Sequence, residues 1–216
     1  MTARDAAKLL LRLPYFFQKR PPSDRLNIGC GANLLPGWIN TDYFPGKGII
    51  FLNAARPFPF RANSMRYVFS EHMIEHIPYE QGVAMLRESY RVLASGGRIR
   101  IATPDALAIW DLEREPDWDY IHWAAAYNSL PPTPTQIVNQ LNHGWGHKFL
   151  WSHPEMTRVF GEIGFVDMKR YRPGESDDPV LRGVEGHGKI IGERWNQFET
   201  LVVEAVKPTA SRATQA

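Results

Sequence analysis

Leu26-Asn27-Ile28-Gly29-Cys30-Gly31, followed by Trp38-Ile39-Asn40-Thr41-Asp42, is the stretch on which the reading of this chain turns. A short apolar run ends in Gly-x-Gly, and a second short run ends in an aspartate. This is the pattern of a nucleoside pocket at the carboxyl edge of a parallel sheet. The first glycine turns tightly off the strand, the second lets backbone approach a ligand, and the acid can accept both ribose hydroxyls. Glycine pairs occur in many turns, so the rest of the chain must carry the reading.

The 216 residues suit one domain with a well-buried core, and 44% hydrophobic with 22% charged residues is a soluble globular composition rather than a disordered one. A net charge of +2 is too mild to imply a nucleic-acid partner. The single cysteine, Cys30, excludes an internal disulfide framework and fits a reducing, cytoplasmic compartment. No apolar run approaches the roughly 20 residues a spanning helix needs, so no transmembrane segment is expected.

Residues 1–24 precede the first strand. Ala6 to Leu13 has a helical pattern, and Lys8 and Arg12 within it argue against a signal peptide. A basic amphipathic helix can rest on a membrane surface; a cap packed on the domain or over its pocket is the expected role. From Leu26, strands are expected at 25–29, 38–42, 49–53, 66–70, 98–103, 165–171 and 198–206. Barely one helical turn fits between Gly31 and Trp38, so the first crossover is abbreviated. Tyr79 to Leu93 is the clearest helix, stopped by Gly96-Gly97. The alternation Arg98-Ile99-Arg100-Ile101-Ala102 suggests a strand with one face only partly covered. Ser152-x-x-Glu155 is a capping-box pattern opening a helix that Gly164 closes. No helix period explains 106–153, which reads as a substrate-side insertion, and 173–194 reads as a charged loop. The main domain spans 25–206, with 207–216 a frayed tail.

The ordered segments LNIGCG, NTD, LNAARPFPF, RYVFSEHMIEHI and LRESYRVLASGGRIRIATPD resemble the class I S-adenosylmethionine-dependent methyltransferases, especially the small single-domain "methyltransferase type 11" kind, over about residues 25–105. The resemblance implies an α/β fold: a doubly wound, Rossmann-like, seven-stranded and mostly parallel sheet whose antiparallel last strand inserts beside the fifth. It implies S-adenosyl-L-methionine as cofactor. By the same resemblance, Gly29, Cys30 and Gly31 pass beside its methionine part and Asp42 holds the ribose hydroxyls. Tyr43 lies beside the adenine, Asn53-Ala54 near the adenine amino group, and Ser70, Glu71 and His72 face the sulfonium end. Arg66 departs from the family, which often has aspartate at the start of the fourth strand.

Methyl transfer needs a nucleophile placed in line with the methyl group and water kept away, and a hydroxyl nucleophile benefits from a base. Histidines and tryptophans amid glycines at 142–153 suggest pocket lining, with His143 or His147 as base and Trp145 and His153 against the substrate. Arg182 and His187 are candidate substrate contacts from the later loop. The expected reaction is O-methylation of a small molecule or sugar-containing metabolite. Nucleic-acid amino methylation is disfavoured, because Ser70-Glu71-His72-Met73 replaces the usual Asn/Asp-Pro-Pro-aromatic. A methyltransferase-like binding or scaffold protein without turnover is the alternative, motivated by the short crossover. His72-Met73-Ile74-Glu75-His76 also spells H-x-x-E-H, the zinc-peptidase pattern. It follows a strand directly and meets Pro78 almost at once, so no metal is expected, and a metal hydrolase using His72, Glu75 and His76 is the least favoured reading.

Overall fold

The computed structural model describes residues 19–209, so the expected helix at Ala6–Leu13 lies outside the described residues. Strands β1 (Arg25–Ile28), β2 (Ile39–Asp42), β3 (Ile50–Phe51), β4 (Met65–Glu71), β5 (Leu93–Pro104), β6 (Val166–Tyr171) and β7 (Thr200–Val206) form a seven-stranded sheet in the order β3-β2-β1-β4-β5-β7-β6. Pairing is parallel from β3 through β5, and β7 runs antiparallel to both of its neighbours. This is the doubly wound α/β sheet expected from the motif order. Strand order reverses between β1 and β4, the switch point at whose carboxyl edge such folds take ligands. Leu26, Ile28, Val68, Ile99, Ile101, Leu201 and Val203 are buried, as a sheet covered on both faces requires. No helix among the described residues is long and apolar enough to cross a membrane.

Helix α1 (Tyr79–Val92) packs Met85, Leu86 and Val92 inward and passes straight into β5 at Leu93, so Gly96-Gly97 lies inside that strand rather than ending the helix. The segment 106–153 is not irregular. It folds as α2 (Ala106–Asp111), α3 (Trp118–Asn128) and α4 (Pro134–His143), each capped by the side chain before it: Asp105, Asp117 and Thr133. Tyr120, Ile121, Ala124, Ile137 and Leu141 give these helices a core of their own. In α5 (His153–Ile163) the Ser152 hydroxyl accepts the Glu155 N–H at 3.3 Å and Gly164 closes the helix at φ +107. The Glu155 carboxylate accepts from the Tyr79 hydroxyl at 2.9 Å, making a cross-helix bond where the box pattern predicts a bond back to the cap. The stretch 173–194 contains α6 (Gly188–Ile191) and opens α7 (Glu193–Glu199).

The face of β5 expected to be half-covered is closed. Arg100 is completely buried, paired through Nε with Glu185 and through Nη1 with Glu204 on β7. Arg100 thus belongs to a buried ion triad, while Arg98 stays partly exposed and pairs with Asp178 at 3.2 Å.

The first crossover has no helix at all between Ile28 and Ile39. Two buried amides brace it instead. Asn27 Nδ2 donates to Asn40 Oδ1 and to the Asn33 carbonyl, both at 3.0 Å. Asn40 Oδ1 also accepts the Leu35 N–H at 3.0 Å, and its Nδ2 donates to the Leu35 carbonyl at 3.1 Å. The loop's polar groups are thus satisfied by strand side chains rather than by helical bonds. Trp38, Phe69, Leu181 and Val184 form the small apolar cluster on this side of the sheet, Trp38 standing edge-on to Phe69 at 6.3 Å.

Candidate active site

Two clefts open at the carboxyl edge of the sheet and meet at Gly29. The larger, about 810 Å³, is lined by Asp42, Tyr43, Asn53, Ala54, Met73 and His76 among others. The smaller, about 380 Å³, is lined by Cys30, Gly31, Asn33, Glu71, His72 and His187 among others. Gly29 has φ +67, and a Cβ there would sit 2.2 Å from Met73 Cγ, so conformation and crowding both demand glycine. Gly31 has φ +48 with nothing within 4 Å of a Cβ position, so its backbone faces open space.

Asp42 ends β2 with both carboxylate oxygens engaged by backbone. Oδ2 accepts the Gly31 N–H at 3.1 Å and Oδ1 the Phe44 N–H at 2.8 Å. Each oxygen keeps further acceptor capacity, so the group is oriented without being saturated. Burial first, and the Asp42 charge second, push the Cys30 thiol up to about 12. It stays protonated and forms wall rather than nucleophile.

In the smaller cleft His72 leaves β4 at φ +44, and its ring stacks on His187 with centroids 3.8 Å apart. His187 Nε2 lies 3.2 Å from Glu199 Oε1, and the Tyr120 hydroxyl donates to Glu199 Oε2. His72 Nε2 lies 3.2 Å from Thr200 Oγ1, and its Nδ1 is 3.4 Å from Glu75 Oε1. Burial opposes charge on His72, yet the Glu75 carboxylate outweighs it and the net shift is upward. Burial likewise opposes charge on Glu75, but His72 outweighs it and the carboxyl is held down. Glu71 accepts the Gly186 and His187 N–H groups at 2.9 Å and Asn33 Nδ2 at 3.0 Å. It is a clamp that fastens the His187 loop over the glycine turn.

Several expected residues line neither cleft. Ser70 is 1% exposed, and its hydroxyl donates to the Ile28 carbonyl at 3.0 Å inside the sheet. His143 is exposed at the end of α4, and Trp145 is exposed on the turn after it. His153 opens α5, and Arg182 ties back to the Ser176 carbonyl at 2.9 Å. His147 is buried, its Nδ1 2.6 Å from the Leu141 carbonyl and its ring edge-on to His76 at 5.0 Å. It packs behind His76, which lines the larger cleft, and not on the His72–His187 pair. For the residues of the insertion the physical reason is common: it packs on its own core and spends its polar ends on caps and carbonyls. Sequence reading missed Asn33, Met73, Tyr120 and Glu199, and named His76 only within the H-x-x-E-H pattern. Glu199 and Tyr120 carry no local signal, since 79 residues separate the two partners of their hydrogen bond.

Comparison with known proteins agrees with this geometry. Residues 42–101 match a family model described as a methyltransferase domain; the match begins at Asp42 and leaves the glycine turn outside. No curated protein matches the chain in sequence. A solved structure from Thermotoga maritima, described as a SAM-dependent methyltransferase and possible histamine N-methyltransferase, superposes with a TM-score of 0.52 at 14% identity, covering 94% of this chain and 89% of that one. A SAM-dependent methyltransferase from Archaeoglobus fulgidus gives 0.50 at 17% identity, covering 95% of both chains. At such identities these likenesses speak for the fold. Residues 42–101 thus match a methyltransferase domain, set in a sheet with the Rossmann-like class I methyltransferase fold.

Proposed function

We propose that the chain methylates a hydroxyl oxygen of a small molecule, a sugar-containing metabolite in the first place, with His187 as the base. The observation that carries this reading is the meeting of the two clefts at Gly29, with Asp42 on one side and the His72–His187 stack on the other. The residues present fit S-adenosylmethionine. Asp42 retains acceptor capacity for vicinal hydroxyls, Tyr43 shares its wall with Asn53 and Ala54, and open space beside Gly31 admits the amino-acid portion. Bound there, the cofactor supplies an electrophilic methyl group on a sulfonium.

The chain's own residues then place the acceptor and take its proton. A hydrogen bond from His187 Nε2–H to Glu199 leaves Nδ1 with the lone pair, and the carboxylate steadies the imidazolium that forms. His72 is favoured in its charged form by Glu75 and suits positioning better than proton abstraction. Within the smaller cleft, Asn33, Glu71, His72, His187 and Lys189 offer hydrogen-bonding groups that a polyhydroxylated acceptor can use. The amide brace of Asn27 and Asn40 keeps the glycine turn in shape without the first helix, which removes the motive for a non-catalytic reading.

The test is transfer of labelled methyl from S-adenosylmethionine to matched sugars, phenols and amines. Label on sugar hydroxyls is expected, with kcat reduced about 10²–10⁴-fold in His187→Gln at unchanged cofactor affinity. Transfer to amines alone, or a His187→Gln enzyme with full kcat, would overturn the proposal.

A further inference from the structure

Glu75, His76 and His147 converge beside the larger cleft, which His76 lines, one ligand atom from each lying within 4.8 Å of the others. Glu75 and His76 come from the 3-10 turn Ile74–His76 that follows β4, and His147 from the turn after α4. The H-x-x-E-H pattern therefore yields a different trio from the one its spelling suggests. His72 turns onto His187, and the third donor arrives from the insertion.

We propose that Glu75, His76 and His147 bind a divalent transition-metal ion of the zinc class, clipping the insertion to the turn after β4. The donor set, two imidazoles and a carboxylate, is one that zinc takes readily. His147 Nδ1 lies 2.6 Å from the Leu141 carbonyl, which can only accept, so Nδ1 carries the proton and Nε2 keeps its lone pair. A ligating histidine held from behind by a carbonyl is the usual outer-shell arrangement. Glu75 is completely buried, with Oε2 accepting from the Thr103 hydroxyl at 3.0 Å and Oε1 short of a full hydrogen bond, its nearest cationic group being His72 Nδ1 at 3.4 Å. A buried carboxylate with acceptor capacity left over can take a cation as a further partner.

Donors 2.0–2.2 Å from a tetrahedral ion sit about 3.4 Å apart, so the trio has to close by up to about 1.4 Å. His76 is exposed and can rotate toward the other two, with small shifts of Glu75 and His147 completing the closure. Three protein donors leave a fourth position toward the cleft, where water completes the shell. His187, the proposed base, is bonded elsewhere, to Glu199, so the ion is a clip and not a partner of that base.

The test uses the untagged full chain, stripped with chelator and titrated with Zn²⁺ by calorimetry and with Co²⁺ by visible absorption, in the absence of S-adenosylmethionine. One ion per chain is expected, with the intense visible bands of tetrahedral cobalt. Tm should rise by about 5–10 °C at a hundredfold excess over Kd. His76→Gln and His147→Gln should each weaken binding at least tenfold, whereas His143→Gln, an exposed neighbour, should leave it unchanged. His76→Gln alters an exposed side chain, so its metal-free Tm should match wild type and separate lost ligation from lost fold. No binding at millimolar Zn²⁺, or equal affinity in His76→Gln, or an equal loss in His143→Gln, would overturn the clip. Because no cofactor is added, this outcome is independent of the methyl-transfer reading.

Discussion

Replacing Asn40 with alanine removes the brace that stands in for the missing first helix. Asn40 Oδ1 accepts from Asn27 Nδ2 and from the Leu35 N–H, and its Nδ2 donates to the Leu35 carbonyl. Leu35 is only half-buried, so water reaches its two groups and the loss there is two net hydrogen bonds of about 0.5–1.5 kcal/mol each. Asn27 is 1% exposed, and one of its amide hydrogens is orphaned at about 1–3 kcal/mol. The sum is about 2–6 kcal/mol, which for a chain of this size lowers Tm by at least about 4 °C. Thermal and urea unfolding, run together to verify a single transition, measure it. Affinity for S-adenosylmethionine, read at a temperature where both proteins are folded, should fall too, because the braced loop carries Gly29 and Gly31. A variant within about 0.5 kcal/mol of wild type would show that the turn is held by something other than these amides.

Arg100→Met should destabilise by about 3–5 kcal/mol, because it leaves Glu185 and Glu204 buried without their cation. The triple variant with both glutamates changed to glutamine should recover most of that loss in the same urea titration. Cys30, with its thiol pushed up to about 12, should react with a thiol reagent at pH 8 about a thousandfold more slowly in the folded chain than in the denatured one. Equal rates would place the thiol in water rather than against Asp42.

The sheet was legible because its signals are local. Buried strands read as short apolar runs, and the turn, the acid of β2 and the capped helix α5 each announce themselves within a few residues. The insertion was not, although its signals exist. In α3 Tyr120, Ile121, Ala124 and Ala125 are buried while Trp118 and Tyr127 are exposed, so apolar residues surround the helix and no period emerges. Its starts were nonetheless written in Asp117 and in Thr133-Pro134, an N-cap followed by proline at the first helical position. The glycine turn and Asp42 at the edge of the larger cleft are near neighbours in sequence and were readable. The smaller cleft rests on pairs such as Asn33 with Glu71 and Tyr120 with Glu199, which only the fold brings together. Arg100 misled for the same reason: an arginine on a strand reads as solvent-facing until the carboxylates that bury it are located.

The most direct measurement is calorimetric titration of the wild-type chain and of Asp42→Ala with S-adenosylmethionine and with its demethylated product. The geometry predicts saturable binding of one ligand per wild-type chain, weakened tenfold or more in Asp42→Ala by loss of the charge-assisted bonds to ribose. No heat from the wild-type chain at millimolar ligand would contradict the cofactor site, and equal affinity in the two proteins would contradict the ribose role of Asp42.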